Sequence, residues 1–134
     1  MAELPESREW DLTGLDVTFL HFDYRFTVDM WSADRSLSII FGSEFILGVP
    51  GCADGVFDPE QNEMLGPLLL VLHRPVSRFK ASSDGRCVLR FADGTEIRGE
   101  PDPQYEAWEA QGTGGLESIA LLCGPGGGCP WGPG

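Results

Sequence analysis

The side chains best able to do chemistry in this chain are four cysteines, two histidines and a scattered set of carboxylates, and their spacing limits each of them. Cys123 and Cys129 bracket the glycines of "LLCGPGGGCPWGPG" with five residues between them. A zinc knuckle needs thiols about two to four residues apart plus further ligands. Here Cys52 and Cys87 lie in unrelated segments, and His21 and His73 are the only imidazoles. A phosphate loop needs a lysine and a hydroxyl after its last glycine, where a helix begins. Cys129, Pro130 and Trp131 follow instead. The residues therefore predict no metal and no cofactor. A disulfide across the glycines is open to Cys123 and Cys129, but a cytosolic chain keeps such thiols reduced. Cys87 and Cys123 read as small buried apolar residues.

For acid–base work the strongest pair is Glu106 and Glu109, which sit three apart on a predicted helix where neighbouring carboxylates could split their pKa values. The competing reading is a solvated helix face, since charges face water unless paired. His21 beside Asp23, and Cys52 in a glycine loop, become nucleophile chemistry only if the fold gathers them. No nucleophile elbow and no catalytic cysteine signature is present. No catalytic residue is assigned.

These groups must be positioned by one domain. At 134 residues the chain can bury a single core, with a polar lead at 1–12 and a Gly/Pro-rich tail at 124–134 that is expected to pack back. The longest apolar run, "LLLVL", is too short for a membrane span, and the acidic N-terminus does not resemble a secretory signal, so the expected compartment is the cytoplasm. The formal net charge of −12 disfavours nucleic acid and anionic membranes and favours a basic partner. Six of the nine basic residues fall between Arg74 and Arg98.

The pattern of elements predicts an α+β domain dominated by antiparallel sheet, with about seven strands and two short helices. Tyr24, Phe26, Val28 and Met30 alternate with Arg25, Thr27 and Asp29, a strand period. "LSIIFGSEFILG" reads as a further strand bent at Gly42. "VSRFKAS", "RCVLRFA" and "TEIRGE" read as two consecutive hairpins. Asp58-Pro59 and Asp102-Pro103 each look like a helix N-cap followed by N1 proline. Met64, Leu65, Leu68, Leu69 and Leu72 follow the first at helical spacing, and Tyr105 and Trp108 would share a face of the second. Laying Val17 on Val76 puts Asp34 on Asp93, which suggests a duplicated unit of three strands and a helix. Meanders of similar length produce the same overlay. Trp31 falls on the polar face of its strand, either as an interface anchor or under a covering element.

"GRCVLRFADGTEI" and "PDPQYEAWEAQGTGGLESIALLCGPGGGCPW" resemble a family of small, acidic, actinobacterial-type proteins of unassigned function. Tyr105, Glu106, Ala107, Trp108 and Glu109, the strand ending at Cys123, the glycines and Trp131 carry the likeness. Cys129-Pro130 stands where members usually have an apolar residue. The family is similar in size and style to immunity proteins of bacterial polymorphic toxin systems, and the resemblance implies no catalytic residues. It implies a structural role for the tail, in which Gly126 and Gly127 turn the chain and Trp131 returns over Tyr105 and Trp108.

The leading expectation is a non-enzymatic immunity or antitoxin-type protein that masks a basic partner. Glu100, Asp102, Glu106, Glu109 and Glu117 would steer the partner and Trp31 would anchor it. The rival is a small enzyme or ligand binder with a pocket between sheet and helices, involving His21, Asp23, Cys52 or His73. An oligomeric assembly is a third expectation.

Overall fold

A period of two runs through most of the chain. The computed structural model, which describes residues 5–132, converts it into eleven strands in two antiparallel sheets. β1 (Ser7–Asp11) is drawn from the polar lead. β2 (Asp16–Phe22), β3 (Phe26–Trp31) and β4 (Ser36–Phe41) form a meander. The hairpin of β5 (Phe45–Gly48) and β6 (Gly55–Phe57) follows. β7 (Val76–Ser82), β8 (Cys87–Phe91) and β9 (Glu96–Gly99) make a second meander, and β10 (Trp108–Thr113) with β11 (Ala120–Cys123) a second hairpin. Each hairpin joins the meander of the other half, β10 pairing with β4 and β5 with β9. One sheet has five strands in the order β11-β10-β4-β3-β2, and the other six in the order β1-β7-β8-β9-β5-β6.

The expected α+β class is thus corrected to all-β. Among the described residues no α-helix occurs: the helix expected after Asp58 is replaced by a turn and 3₁₀ stretches, and the one expected after Asp102 by a strand hairpin. Near Asp58 the cap-like start closes only a turn, its Oδ1 accepting the Glu60 amide at 3.0 Å. Two short 3₁₀ stretches follow, Asn62–Met64 and Gly66–Val71. Leu65, Leu68 and Val71 are all fully buried at a spacing of three, the period of a 3₁₀ helix, while Met64 and Leu69 face out. Pro67, which lacks an amide hydrogen, stands where an α-helix would have had to continue.

The second expected helix loses to pairing. Asp102 Oδ1 accepts the amides of Gln104 and Tyr105 at 2.8 and 3.0 Å, the local half of a cap. From Trp108 onward, however, both edges of the backbone bond to strands, β4 on one side and β11 on the other. Trp108 and Ala110 then point inward while Glu109 and Gln111 point outward. A two-turn helix has little stability of its own in water, so the two ladders win. Tyr105 and Trp108 consequently share no face: Tyr105 is 63% exposed and Trp108 is buried.

The sheets meet through aromatic rings. Phe45 of the six-stranded sheet stacks on Phe26 at 5.1 Å and lies 4.9 Å from Phe41, both of the five-stranded sheet. Toward the other end Phe79 meets Trp108 edge to face at 6.0 Å. The chain changes sheet between β4 and β5 at Gly42, where a Cβ would stand 2.8 Å from the Glu106 carbonyl oxygen. No helix of the described residues is long and apolar enough to cross a membrane.

Candidate partner-binding face

The outward residues of the five-stranded sheet fall into rows set by strand register. Glu109, Ile40, Thr27 and His21 lie opposite one another across β10, β4, β3 and β2. Gln111, Ser38, Asp29 and Phe19 make the next row, and Thr113, Ser36, Trp31 and Asp16 the third. Phe19 reaches this face through an irregularity. The register of β2 against β3 shifts between Val17 and Phe19, so Val17 is buried while Phe19, two residues on, is exposed. A bulge re-aims side chains in this way.

Charge divides between the sheets. The five strands of this sheet contain no lysine or arginine, whereas the other sheet carries Arg8, Arg78, Lys80, Arg90 and Arg98. Several of those cations are neutralised in place: Arg90 lies 2.7 Å from Glu96, Arg78 lies 3.8 Å from Glu9, and Arg98 pairs with Asp54 and Glu96. On the five-stranded face His21 Nε2 and Asp29 Oδ2 share a hydrogen bond at 2.9 Å. Two depressions open on this side and share Arg25 and Ile40. One, about 280 Å³, is lined also by Tyr105, Glu106 and Glu109. The other, about 330 Å³, is lined also by His21, Asp23, Thr27 and Asp29.

The residues expected to bind a partner are only partly gathered here. Glu106 and Glu109 share the first depression, and Trp31, 54% exposed, stands at the far end of the same sheet. Glu100 and Asp102 line a separate hollow beside β5 and β6. There Glu100 lies 3.5 Å from Arg86, and Asp102 is occupied with its turn. Glu117 holds the β10–β11 connection, accepting the Gly115 amide at 2.9 Å, and that bond keeps its carboxyl below the usual range. Phe19, Asp29, Ile40 and Asp16 also belong to this face, although none of them is among the residues expected to bind a partner. Asp29 was visible through the parity it shares with Trp31, whereas the bulge that exposes Phe19 left no local signal.

The model of a protein family of unknown function matches residues 9–131. The chain belongs to DUF6188. Comparison with curated proteins and with solved structures finds no match. The matched span runs from within β1 to Trp131, so all of β2 to β11 and the returning tail as far as Trp131 lie within the DUF6188 region.

In this DUF6188 chain the tail turns through Gly126, Gly127 and Gly128, all at positive φ, a conformation that only glycine adopts without strain. Gly126 donates to the Asp102 carbonyl at 2.7 Å, and Leu122 donates to the Pro130 carbonyl at 2.9 Å. Trp131 returns to the core margin, where Arg8 sits over its ring at 4.2 Å, a cation–π contact. All four thiols are free: Cys87 and Cys123 are buried and Cys52 is exposed. Burial raises the pKa of both inner thiols, which disfavours the nucleophilic thiolate. His21 and Asp23 share the second depression. His73 lies in the connection to β7, donating its amide to Val17 at 2.7 Å, and Cys52 lies in the turn after Val49. Among the described residues no group of three or more His, Cys, Asp or Glu side chains is placed to hold a metal ion.

Proposed function

We propose that this protein is a non-enzymatic binding protein of the immunity or antitoxin type, which masks a basic partner protein with the outer face of its five-stranded sheet. The observation that carries the reading is the segregation of charge. A sheet without lysine or arginine presents Asp16, Asp29 and Glu109 beside the exposed rings of Phe19 and Trp31. Carboxylates steer a cationic surface to the encounter, and exposed aromatics supply the apolar contact that holds it.

The test is co-expression with the product of the adjacent gene. Growth should be rescued if that product is toxic, and the two chains should co-purify at low salt and separate as ionic strength screens the contact. A partner held equally well in high salt, or one with an acidic contact surface, would sink the reading.

A further inference from the structure

The two depressions on the five-stranded face share Arg25 and Ile40 in their walls, so they adjoin as a trough of two hollows across the strands. Four carboxylates border it, Glu106 and Glu109 at one end and Asp23 and Asp29 at the other, against the single guanidinium of Arg25 and the imidazole of His21, which bonds one oxygen of Asp29. Glu106, Glu109 and Asp23 make no ion pair among the described residues. Tyr105, largely exposed, adds an aromatic wall, and Ile40 lies where the two depressions join.

We propose that this trough docks an extended, arginine-bearing segment of the partner protein, laid across β10, β4 and β3 from Glu109 toward Asp29. The proposal rests on the reading above and specifies where, and by what chemistry, the basic partner is held. Charge complementarity selects a cation. The planar guanidinium is favoured over ammonium, because it can fork onto a carboxylate and stack on Tyr105.

Register sets the spacing. Glu109 and Asp29 are two strands apart and one row apart. Neighbouring strands lie about 4.8 Å apart and a row spans about 6.7 Å, which puts the two positions roughly 12 Å apart. An extended segment covers that distance in about four residues. The expected occupant therefore carries arginines at i and i+4.

The probe is a glycine–serine decapeptide with two arginines four apart, titrated into the labelled full chain and followed by amide chemical shifts. A peptide of the same composition with adjacent arginines serves as the comparison. The spaced peptide should bind more tightly and shift the amides of Glu109, Ile40, Thr27 and Asp29. The double variant Glu109→Gln/Asp29→Asn should weaken it roughly fivefold, as expected for two exposed charge contacts. Arg25→Gln should tighten it about threefold by removing the one like charge. Opposite signs from two surface variants would not arise from damage to the fold.

Shifts confined to the six-stranded sheet or to the acidic loop at 58–63, with partner binding still salt-sensitive, would overturn the trough and leave the broader reading standing. Equal binding of both peptides, or no effect of Arg25→Gln, would also overturn it. If neither the peptides nor the neighbouring gene product binds in a salt-dependent way, both fall.

Discussion

Trp108 lies against Gly99, so close that a Cβ on Gly99 would stand 3.0 Å from Trp108 Cδ1 and 2.7 Å from Cys87 Sγ. The glycine is needed for space, because its neighbours are a buried ring, a buried thiol and Phe41 at 3.2 Å. Gly99→Ala is expected to lower unfolding free energy by about 2 kcal/mol, the usual scale of overpacking a full core. Gly66→Ala is the control, since nothing lies within 4 Å of its added carbon, and it should change stability by less than about 0.5 kcal/mol. Urea titration of the two variants decides the matter, and equal midpoints would refute the steric account.

The same ring has a polar obligation. Trp108 Nε1 donates to the Gly85 carbonyl at 2.9 Å inside the protein. Trp108→Phe keeps an aromatic there but leaves that carbonyl without its donor. An unsatisfied buried acceptor costs about 1–3 kcal/mol, to which the smaller ring adds a void. The variant should remain folded with a lower urea midpoint. An unchanged midpoint would mean that the bond contributes nothing net.

How much of this was legible depended on whether a signal was local. The alternation from Phe26 to Trp31 lies within one strand, so the outward position of Trp31 could be read from sequence, as could the meander from Val76 to Gly99. "SREWD" could not be read as β1, because its apolar partner is Phe79, across a ladder formed with distant residues. Asp102-Pro103 begins a turn equally well before a helix or a strand, and the choice is made by β4 and β11, outside any local window. Leu65, Leu68 and Val71 fit a spacing of three, but Leu69 and Leu72 beside them imitate the α-helical period. The candidate site divided in the same way. Glu106 and Glu109 lie near one another in sequence and stayed together, while the carboxylates of Asp102 and Glu117 are used by turns and that of Glu100 faces Arg86.

Those turn carboxylates make stability fall in acid. Asp93 accepts the Thr95 amide at 2.9 Å and pairs with Arg74 at 2.6 Å, and its pKa is lowered, first by the amide and also by the guanidinium. Asp11, held by Thr13, and Glu117, held by Gly115, are lowered as well. A depressed folded-state pKa contributes stability that is fully present above the unfolded value, near 4, and is lost as pH falls through the folded value. Unfolding free energy should therefore decline below about pH 4. Asp93→Asn should be less stable than the parent at neutral pH, with the gap closing as pH drops through that window. A gap that stays constant down to pH 2, roughly the lower end of carboxylate titration, would contradict the assignment.

The left-handed backbone at His73 offers a gain of stability. Its φ is 66, its side chain is exposed, and its amide bond to Val17 needs no imidazole. A non-glycine residue in this region costs about 1–2 kcal/mol, against which a glycine loses roughly 0.5–1 kcal/mol of unfolded-chain entropy. His73→Gly should therefore raise stability by about 0.5 kcal/mol, measured by thermal or urea unfolding. A destabilised variant would mean that the imidazole makes a contribution beyond its backbone position.

Thiol reactivity should follow burial rather than count. Cys52 is exposed, Cys129 is intermediate, and Cys87 and Cys123 are enclosed beside Gly99 and Gly85, where burial raises their pKa. An aromatic disulfide reagent added to native protein should modify Cys52 quickly, Cys129 more slowly, and the inner pair only after unfolding. Raising the pH to about 9, where an ordinary thiol is deprotonated, should leave Cys87 protected, because burial raises its pKa. Mass spectrometry of the labelled peptides assigns each rate. Fast native labelling at Cys87 would show that the seam between β8, β9 and β10 opens, and would argue against Gly99 and Trp108 as a closed contact.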